Sequence, residues 1–196
     1  MRCLFAVLLL ALALPATTAA APRSPLDARL VRIGYLPAAS VSGEATVEAL
    51  IAFQKQEGLA GDGVAGPQTK AALKRAVRPA PPRPLARAVE ISLSHQLLYL
   101  VSYGVALRTI AVSTAAPGHV TPQGRFRVYR KETLSWSVPY SSWMPYASYF
   151  DGGWAIHGYP SVPVYPASHG CVRVPLIFDR EVYTFASIGT PVLVLP

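Results

Sequence analysis

Cysteine is nearly absent from this sequence of 196 residues. The chain has only Cys3 and Cys171, so it can build neither a disulfide framework nor a C-x-x-C motif. Cys3 lies in an N-terminal segment that has the features of an export signal. Once that segment is removed, Cys171 has no cysteine to pair with, and an exported thiol without a partner indicates a reactive group.

The sequence also lacks an apolar run long enough to cross a membrane. The run from Leu4 to Leu14 is shorter than the ~20 residues that a spanning helix needs. Arg2 precedes it, and Pro15 and the small residues 16–21 follow it, which is the pattern of a secretory signal peptide. We expect residues 1–20 to be cleaved and the mature protein to reach the periplasm or cell wall. A retained anchor is the alternative, because only one positive charge precedes the run.

Acidic residues are few, since 10 Asp and Glu stand against 18 Lys and Arg and give a net charge of +8. The excess is local, because residues 74–87 carry five basic groups and no acidic one. Export and the lack of a basic face interleaved with aromatic residues argue against nucleic-acid binding. The proline-rich residues 78–87 predict a semi-rigid linker. Its arginines either remain solvated or attract anionic wall polymers.

Residues 21–77 have the apolar spacing of helices. Apolar residues recur three or four apart at 26–33 and 47–53, and Pro67 suits the first turn of a third helix. The pattern F-Q-x-x-x-G-L at 53–59, followed by D-G-x-x-G-x-x-T at 62–69, resembles the three-helix peptidoglycan-binding module. The first half of that pattern is shortened to residues 38–43. A structural spacer that only resembles the module is the alternative.

From Val89 onward the apolar period changes to two, with turn signals at 94–96 and 103–104. The predicted strands are 89–93, 97–102, 105–113, 125–129, 153–156 and 192–195. One helix is predicted at 175–188, between Pro175 and Gly189. Residues 88–196 are therefore predicted to be a mainly β domain, a curved antiparallel β sandwich or partial barrel with one prominent helix, beside the small all-α module.

Two motifs near the C-terminus carry the candidate chemistry, Ile156-His157-Gly158 and Ser168-His169-Gly170-Cys171-Val172-Arg173. A thiol with its ordinary pKa needs a base to become a good nucleophile. His169 stands two residues before Cys171 in a tight loop, so it is better placed to shape the loop or to contact substrate. His157 arrives from a separate strand and is the better base, with the Gly158 carbonyl orienting its ring.

The rest of the motif offers further roles. The amides of Gly170 and Cys171 are the expected oxyanion donors, and Arg173 either binds a substrate carboxylate or braces the loop. Zinc held by His157, His169 and Cys171 is the competing chemistry, although no acidic residue stands nearby in sequence and no H-E-x-x-H motif is present. A buried structural cysteine is the third reading. We expect no metal and no cofactor.

These motifs occur with others in a fixed order, and together they resemble the L,D-transpeptidase catalytic domain, which often follows a peptidoglycan-binding module. The other matching segments are Leu97-Leu98-Tyr99, Val112-Ser113-Thr114, Thr121-Pro122-Gln123-Gly124-Arg125-Phe126 and Met144-Pro145-Tyr146. The sequence departs from the family pattern at Tyr159-Pro160 and at Ala115-Ala116. Both departures lie where they would reshape the substrate cleft.

The resemblance implies a monomeric cell-wall enzyme that acts on peptidoglycan stem peptides and glycan. Cys171 would attack the L-centre carbonyl of a tetrapeptide stem and expel D-Ala, leaving a thioester. An amine of a second stem would resolve it as a 3→3 cross-link; the alternatives are water, as in an L,D-carboxypeptidase, or a protein amine. Wall binding without catalysis is a further alternative.

The resemblance also implies a flap over the site, formed by residues 129–150. Tyr146 is the first choice within it for a substrate-facing hydroxyl. Ser168, His169 and Arg173 are expected to contact the substrate.

Overall fold

The computed structural model describes residues 24–39 and 43–196. The predicted signal peptide at 1–20 lies outside the described residues, as does part of the shortened segment at 38–43. Within the described ranges, no helix combines the length and the apolar character needed to cross a membrane.

Among the described residues, three helices precede residue 77, as predicted: α1 (Pro25–Arg32), α2 (Gly43–Gln56) and α3 (Pro67–Arg75). Ser24 caps α1, because its Oγ accepts a hydrogen bond from the Asp27 amide at 3.0 Å. The rings of Tyr35 and Phe53 pack edge to face in the small core between the helices, with centroids 5.5 Å apart.

The F-Q…D-G motif has a structural role in this module. The buried Gln54 donates to Asp62 Oδ1 at 2.7 Å and to Val64 O at 3.0 Å, and it accepts from the Gly63 amide at 2.9 Å. One side chain thus holds the connection between α2 and α3, which otherwise lacks regular structure.

The rest of the chain forms two sheets. The first has the order β3-β2-β1-β9-β4 and contains β1 (Arg87–Ser92), β2 (Leu97–Ser102), β3 (Val105–Ala111), β4 (Gly124–Arg127) and β9 (Pro191–Leu195). The second has the order β5-β6-β7-β8 and contains β5 (Arg130–Ser137), β6 (Ser142–Asp151), β7 (Trp154–Tyr159) and β8 (Val172–Pro175). Helix α4 (Leu176–Phe185) packs on β6 and β7.

The mainly β prediction with one helix is confirmed, with one difference in strand direction. Each sheet contains a parallel pair, β1 with β9 and β7 with β8, so the antiparallel prediction holds only for the other pairs. Parallel neighbours need a long crossover. For β7 and β8 this crossover is the loop 160–171, which ends at Cys171.

Strands β5 and β6 were not predicted as strands. Residues 129–150 were interpreted only as a flap, whereas they form the longest hairpin of the second sheet. Much of β5 is exposed, so the alternation that marks a half-buried strand is missing from its sequence.

The helical module packs directly on the first sheet, and its apolar residues are continuous with the core beneath that sheet. Residues 78–87 do not hold the two parts apart. The Arg78 guanidinium donates to the carbonyls of Arg32, Ala106 and Leu107 at 2.9–3.1 Å. The interpretation of a solvated spacer is therefore wrong for Arg78, whose charge is used at the junction between module and sheet.

Candidate active site

Cys171 ends the crossover loop one residue before β8, and it is partly buried. Its Sγ accepts from the Ala155 amide at 3.4 Å and lies 3.8 Å from Gly153 O. Burial raises the pKa of the thiol, and the Ala155 amide and the Arg173 charge only partly oppose this effect. Cys171 is therefore mainly a thiol at neutral pH, and its attack on a carbonyl requires a base.

His157 lies on β7, beside β8 in the parallel pair. Its side chain is almost fully buried, with 5% exposed. Nδ1 lies 2.8 Å from Gly158 O, and because a carbonyl can only accept, Nδ1 carries the proton and Nε2 is the basic nitrogen. Burial is the main cause that lowers the pKa of His157 to about 4, and the nearby Arg173 charge adds to it. The ring is thus a neutral base at neutral pH.

Glycine is the one residue type that fits at position 158. A methyl group added there would overlap Asp179 Oδ2 and would lie 2.9 Å from Asp179 Cβ. Asp179 is buried on α4, and burial raises its pKa to about 6. Neither sequence motif contains this carboxyl group, because Asp179 reaches the strand that carries His157 from helix α4.

The Gly158–Asp179 contact gives a testable consequence. We expect Gly158→Ala to push β7 and α4 apart and to destabilise the fold by about 1–3 kcal/mol, as overpacking does. Because the Gly158 carbonyl holds His157 Nδ1, the rate at which the Cys171 thiol reacts with an electrophile should fall by about 100-fold. The measurements are urea unfolding and the rate of adduct formation by intact-protein mass spectrometry.

Its control is the double variant Gly158→Ala with Asp179→Ala, which removes the overlapping carboxyl group and should recover part of both losses. Gly43→Ala is the matched control for a glycine change alone, since an added methyl group there meets nothing within 4 Å. Equal losses in the single and double variants would contradict the overlap.

Ser168 and Gly170 form hydrogen bonds within the loop that ends at Cys171. Ser168 is buried, and its Oγ donates to Cys171 O at 2.6 Å and accepts from the Gly170 amide at 3.0 Å. The Gly170 amide therefore does not face an oxyanion as predicted, and the Ser168 hydroxyl is occupied within the loop. Gly170 has φ 130°, and a methyl group there would lie 2.7 Å from Val120 O. The Cys171 amide is left as the predicted oxyanion donor.

His169 and Arg173 make different contacts beside Cys171. The exposed His169 ring stacks on Tyr140 with centroids 4.1 Å apart and meets His119 edge to face at 4.7 Å. The Arg173 guanidinium lies 4.1 Å from the centre of the Tyr159 ring, while its backbone pairs with Ser113. Arg173 thus braces the loop through its backbone and still presents its charge to the site.

A cavity of about 520 Å³ brings these groups together. Hairpin β5–β6 forms one wall, and the crossover loop 160–171 and β7 form the other. The lining residues include Cys171, His157, Ser168, His169, Arg173, Arg130, Trp136, Tyr140, Met144, Tyr149, Trp154 and Tyr159.

Tyr146 is not among the residues that line this cavity. It has φ 52°, and its ring packs against Tyr183 on α4 with centroids 5.4 Å apart. The structure therefore places Tyr140, and not Tyr146, at the site. In the part of the chain that the structure describes, no three His, Cys, Asp or Glu side chains lie close enough together to hold a metal ion, so the zinc hypothesis has no ligand set there.

Comparisons with known proteins agree with this arrangement. The family model of the L,D-transpeptidase catalytic domain matches residues 86–194, and that of a peptidoglycan binding domain matches residues 21–73. No curated protein matches the chain in sequence.

Solved structures are similar over most of the chain. An L,D-transpeptidase from Xylanimonas cellulosilytica is 40% identical, with a TM-score of 0.76 over 86% of this chain and 90% of that chain. One from Stackebrandtia nassauensis is 26% identical, with a TM-score of 0.58 over 87% and 89%. L,D-transpeptidase 3 from Mycobacterium tuberculosis, in complex with a faropenem-derived adduct, is 21% identical, with a TM-score of 0.51 over 57% of this chain and 60% of that chain, and shares the fold alone.

Proposed function

Because the chain belongs to the L,D-transpeptidase family and carries a peptidoglycan-binding domain before its catalytic domain, we propose that Cys171 is the nucleophile of a peptidoglycan transpeptidase. Family and fold support the peptidoglycan transpeptidase role and an extracytoplasmic location. The observation that carries the role of Cys171 is its position in one cavity with a buried, neutral histidine whose Nδ1 is held by a backbone carbonyl.

The acylation step follows from the protonation states. Sγ attacks the L-centre carbonyl of a tetrapeptide stem as His157 Nε2 takes the thiol proton. The Cys171 amide donates to the oxyanion of the tetrahedral intermediate. The C–N bond to D-Ala then breaks, the imidazolium returns its proton to the leaving amine, and a thioester remains.

The second half of the reaction reverses these roles. His157 deprotonates the incoming amine, the amine nitrogen attacks the thioester, and Cys171 leaves as the thiol. A side-chain amine of a second stem gives a 3→3 cross-link, whereas water or a protein amine gives trimming or protein attachment. Incubation with defined tetrapeptides and analysis of the products would distinguish these acceptors: a cross-linked dimer supports the transpeptidase, and tripeptide alone supports the carboxypeptidase.

The proposal extends to the whole chain. We propose that residues 1–20 direct export, that residues 21–77 contact the wall and that residues 88–196 carry the catalysis, with residues 78–87 joining them. The wall contact is tested by measuring how the protein binds glycan strands that carry stem peptides and glycan strands without them. Binding to the strands without stems supports a role for the module, and binding only to strands with stems opposes it.

The low pKa of His157 predicts an unusual pH dependence. The base must be unprotonated, so activity should be lost as the pH falls through about 4, where an ordinary histidine would lose it near 6.5. The measurement is the rate of Cys171 acylation by faropenem from about pH 3.5 to about pH 8, with loss of the drug in buffer subtracted.

Circular dichroism at each pH is the control for folding. The lowered pKa of His157 means that the unfolded chain binds its proton more readily, so this group removes stability as the pH falls from 6.5 toward 4. Half-maximal acylation near pH 6.5 in a folded protein would contradict a buried neutral base.

A further inference from the structure

The helical module touches the catalytic domain beside the loop that carries the nucleophile. Lys55 lies near the C-terminal end of α2 and is half-buried at this junction. Its Nζ donates to Gln96 O at 3.1 Å and to Val112 O at 3.3 Å. Gln96 directly precedes β2 and Val112 directly follows β3, so one ammonium group from the module binds the ends of two catalytic-domain strands.

Gln96 passes this contact on to the segment after β3. It is buried, and its backbone is in the left-handed region with φ 52°. Its side-chain amide donates to Thr114 Oγ1 at 2.6 Å, and its Oε1 accepts from the Thr114 amide at 2.8 Å. Two bonds to one residue fix the position of Thr114, because they hold both its backbone and its side chain.

Thr114 in turn holds the nucleophile loop. Its carbonyl accepts from the amides of Ala167 and Ser168 at 2.9 and 2.8 Å. Ser168 then bonds to the Gly170 amide and to Cys171 O. An unbroken series of hydrogen bonds therefore runs from Lys55 in the module to the backbone of Cys171.

A second contact reaches the same loop from a different part of the module. Gly61 lies in the connection between α2 and α3, and a methyl group added to it would lie 3.2 Å from Val164 Cγ1. Val164 belongs to the crossover loop, seven positions before the nucleophile. The module thus reaches this loop indirectly, through the Lys55 hydrogen bonds to Gln96 and Val112, and directly, where Gly61 lies beside Val164.

We propose that the helical module is a structural part of the active site, in which Lys55 and Gln96 are positioning residues that hold the nucleophile loop for acylation. This inference rests on the proposed function for its kinetic consequence, but its structural consequence does not depend on it. The module does more than hold the enzyme on the wall, because loosening its contact with the sheet releases the loop that ends at Cys171.

The test compares two changes at the same interface. Lys55→Met removes the ammonium group at the start of the series, whereas Tyr99→Phe removes the 2.7 Å bond from Tyr99 to Gln56 Oε1, which also joins module and sheet but does not lead to Thr114. Hydrogen exchange of the amides at 164–171 should be about tenfold faster in Lys55→Met and within about twofold of the wild type in Tyr99→Phe.

Kinetics and a conservative variant complete the experiment. With a tetrapeptide, Lys55→Met should lower kcat by about tenfold with little change in KM, since substrate contacts remain and only the position of the thiol changes. Lys55→Arg should restore both the exchange rate and kcat to within about threefold of the wild type, because a guanidinium can also donate to both carbonyls.

Equal effects of Lys55→Met and Tyr99→Phe on exchange at 164–171, or no effect of either, would overturn the inference. If Lys55→Met does not fold, the test uses Val164→Ala, which weakens the packing of the loop on the module. Faster hydrogen exchange at the amides of Ala167 and Ser168 supports the inference, and unchanged exchange refutes it. A wild-type protein that transfers no acyl group would refute the proposed function, while the exchange data would still decide the structural role of the module.

Discussion

Cys171→Ala is expected to leave a folded protein that forms no covalent adduct with faropenem and releases no D-Ala from a tetrapeptide. Loss of the nucleophile removes the acyl-enzyme itself, so the rate should fall by at least about 10⁴-fold. Cys171 packs against the small cluster of Met144, Ala147, Tyr149 and Ala155, and alanine preserves most of that packing. Intact-protein mass spectrometry and release of D-Ala are the two measurements.

The thermal unfolding midpoint of Cys171→Ala serves as its control, because a folded and inactive variant separates chemistry from stability. Cys171→Ser is the second control: its hydroxyl group can still donate and accept hydrogen bonds at this position, but it is a much weaker nucleophile than the thiol. Full acylation of Cys171→Ala would mean that another group carries the reaction, and full acylation of Cys171→Ser would mean that the reaction does not require a thiol.

His157→Gln is expected to lower the rate of acylation by about 10²–10⁴-fold, which is the usual contribution of a general base. His169→Gln should lower it by no more than about tenfold, because the exposed His169 contacts the rings of Tyr140 and His119 and not the reacting atoms. Both variants replace a histidine by glutamine, at position 157 or at position 169, so each is the control of the other. Acylation is followed by mass spectrometry under single-turnover conditions.

A larger loss in His169→Gln than in His157→Gln would reverse the assignment of the base. A pH profile of His169→Gln gives a further check, since removal of an exposed ring should not move the acid limb set by His157. A shift of that limb in His169→Gln would show that the two histidines titrate together.

The fold could be predicted from sequence wherever the apolar period was strong. The three short helices have buried faces that create a helical period, and strand Leu97–Ser102 is buried along almost its whole length, which gives a continuous apolar run. Much of β5 is exposed, so its apolar pattern is weak, and only the aromatic composition of residues 129–150 marks the hairpin in the sequence. Docking of the module on the sheet has no signature in the sequence, because it depends on apolar packing between distant segments and on the side chains of Lys55 and Arg78.

The site could be predicted where its residues lie close together in the sequence. Cys171, His157 and Gly158 belong to short motifs, and the structure places Cys171 and His157 in one cavity and the Gly158 carbonyl against His157 Nδ1. Tyr146 was chosen for its place in a motif, but the positive φ at that residue accompanies a side chain turned to Tyr183 on α4. Backbone irregularities of this kind follow from strand pairing and have no signature in a single sequence.

Two other differences arose from contacts between distant segments. Asp179 approaches Gly158 from α4, and the Gly170 amide is bound by Ser168 inside the loop. Motif spacing gives the order of these residues along the chain and not their hydrogen-bond partners. The Cys171 amide therefore remains as the proposed oxyanion donor, and a carboxyl group that the motifs do not contain lies against Gly158.

The most direct test of the account is a rapid-quench reaction of the wild-type protein with a tetrapeptide stem, followed by peptide mass mapping. The account predicts one released D-Ala per protein and a tripeptide thioester on Cys171 that hydroxylamine removes. Release of D-Ala without an adduct, or an adduct on a residue other than Cys171, would contradict it.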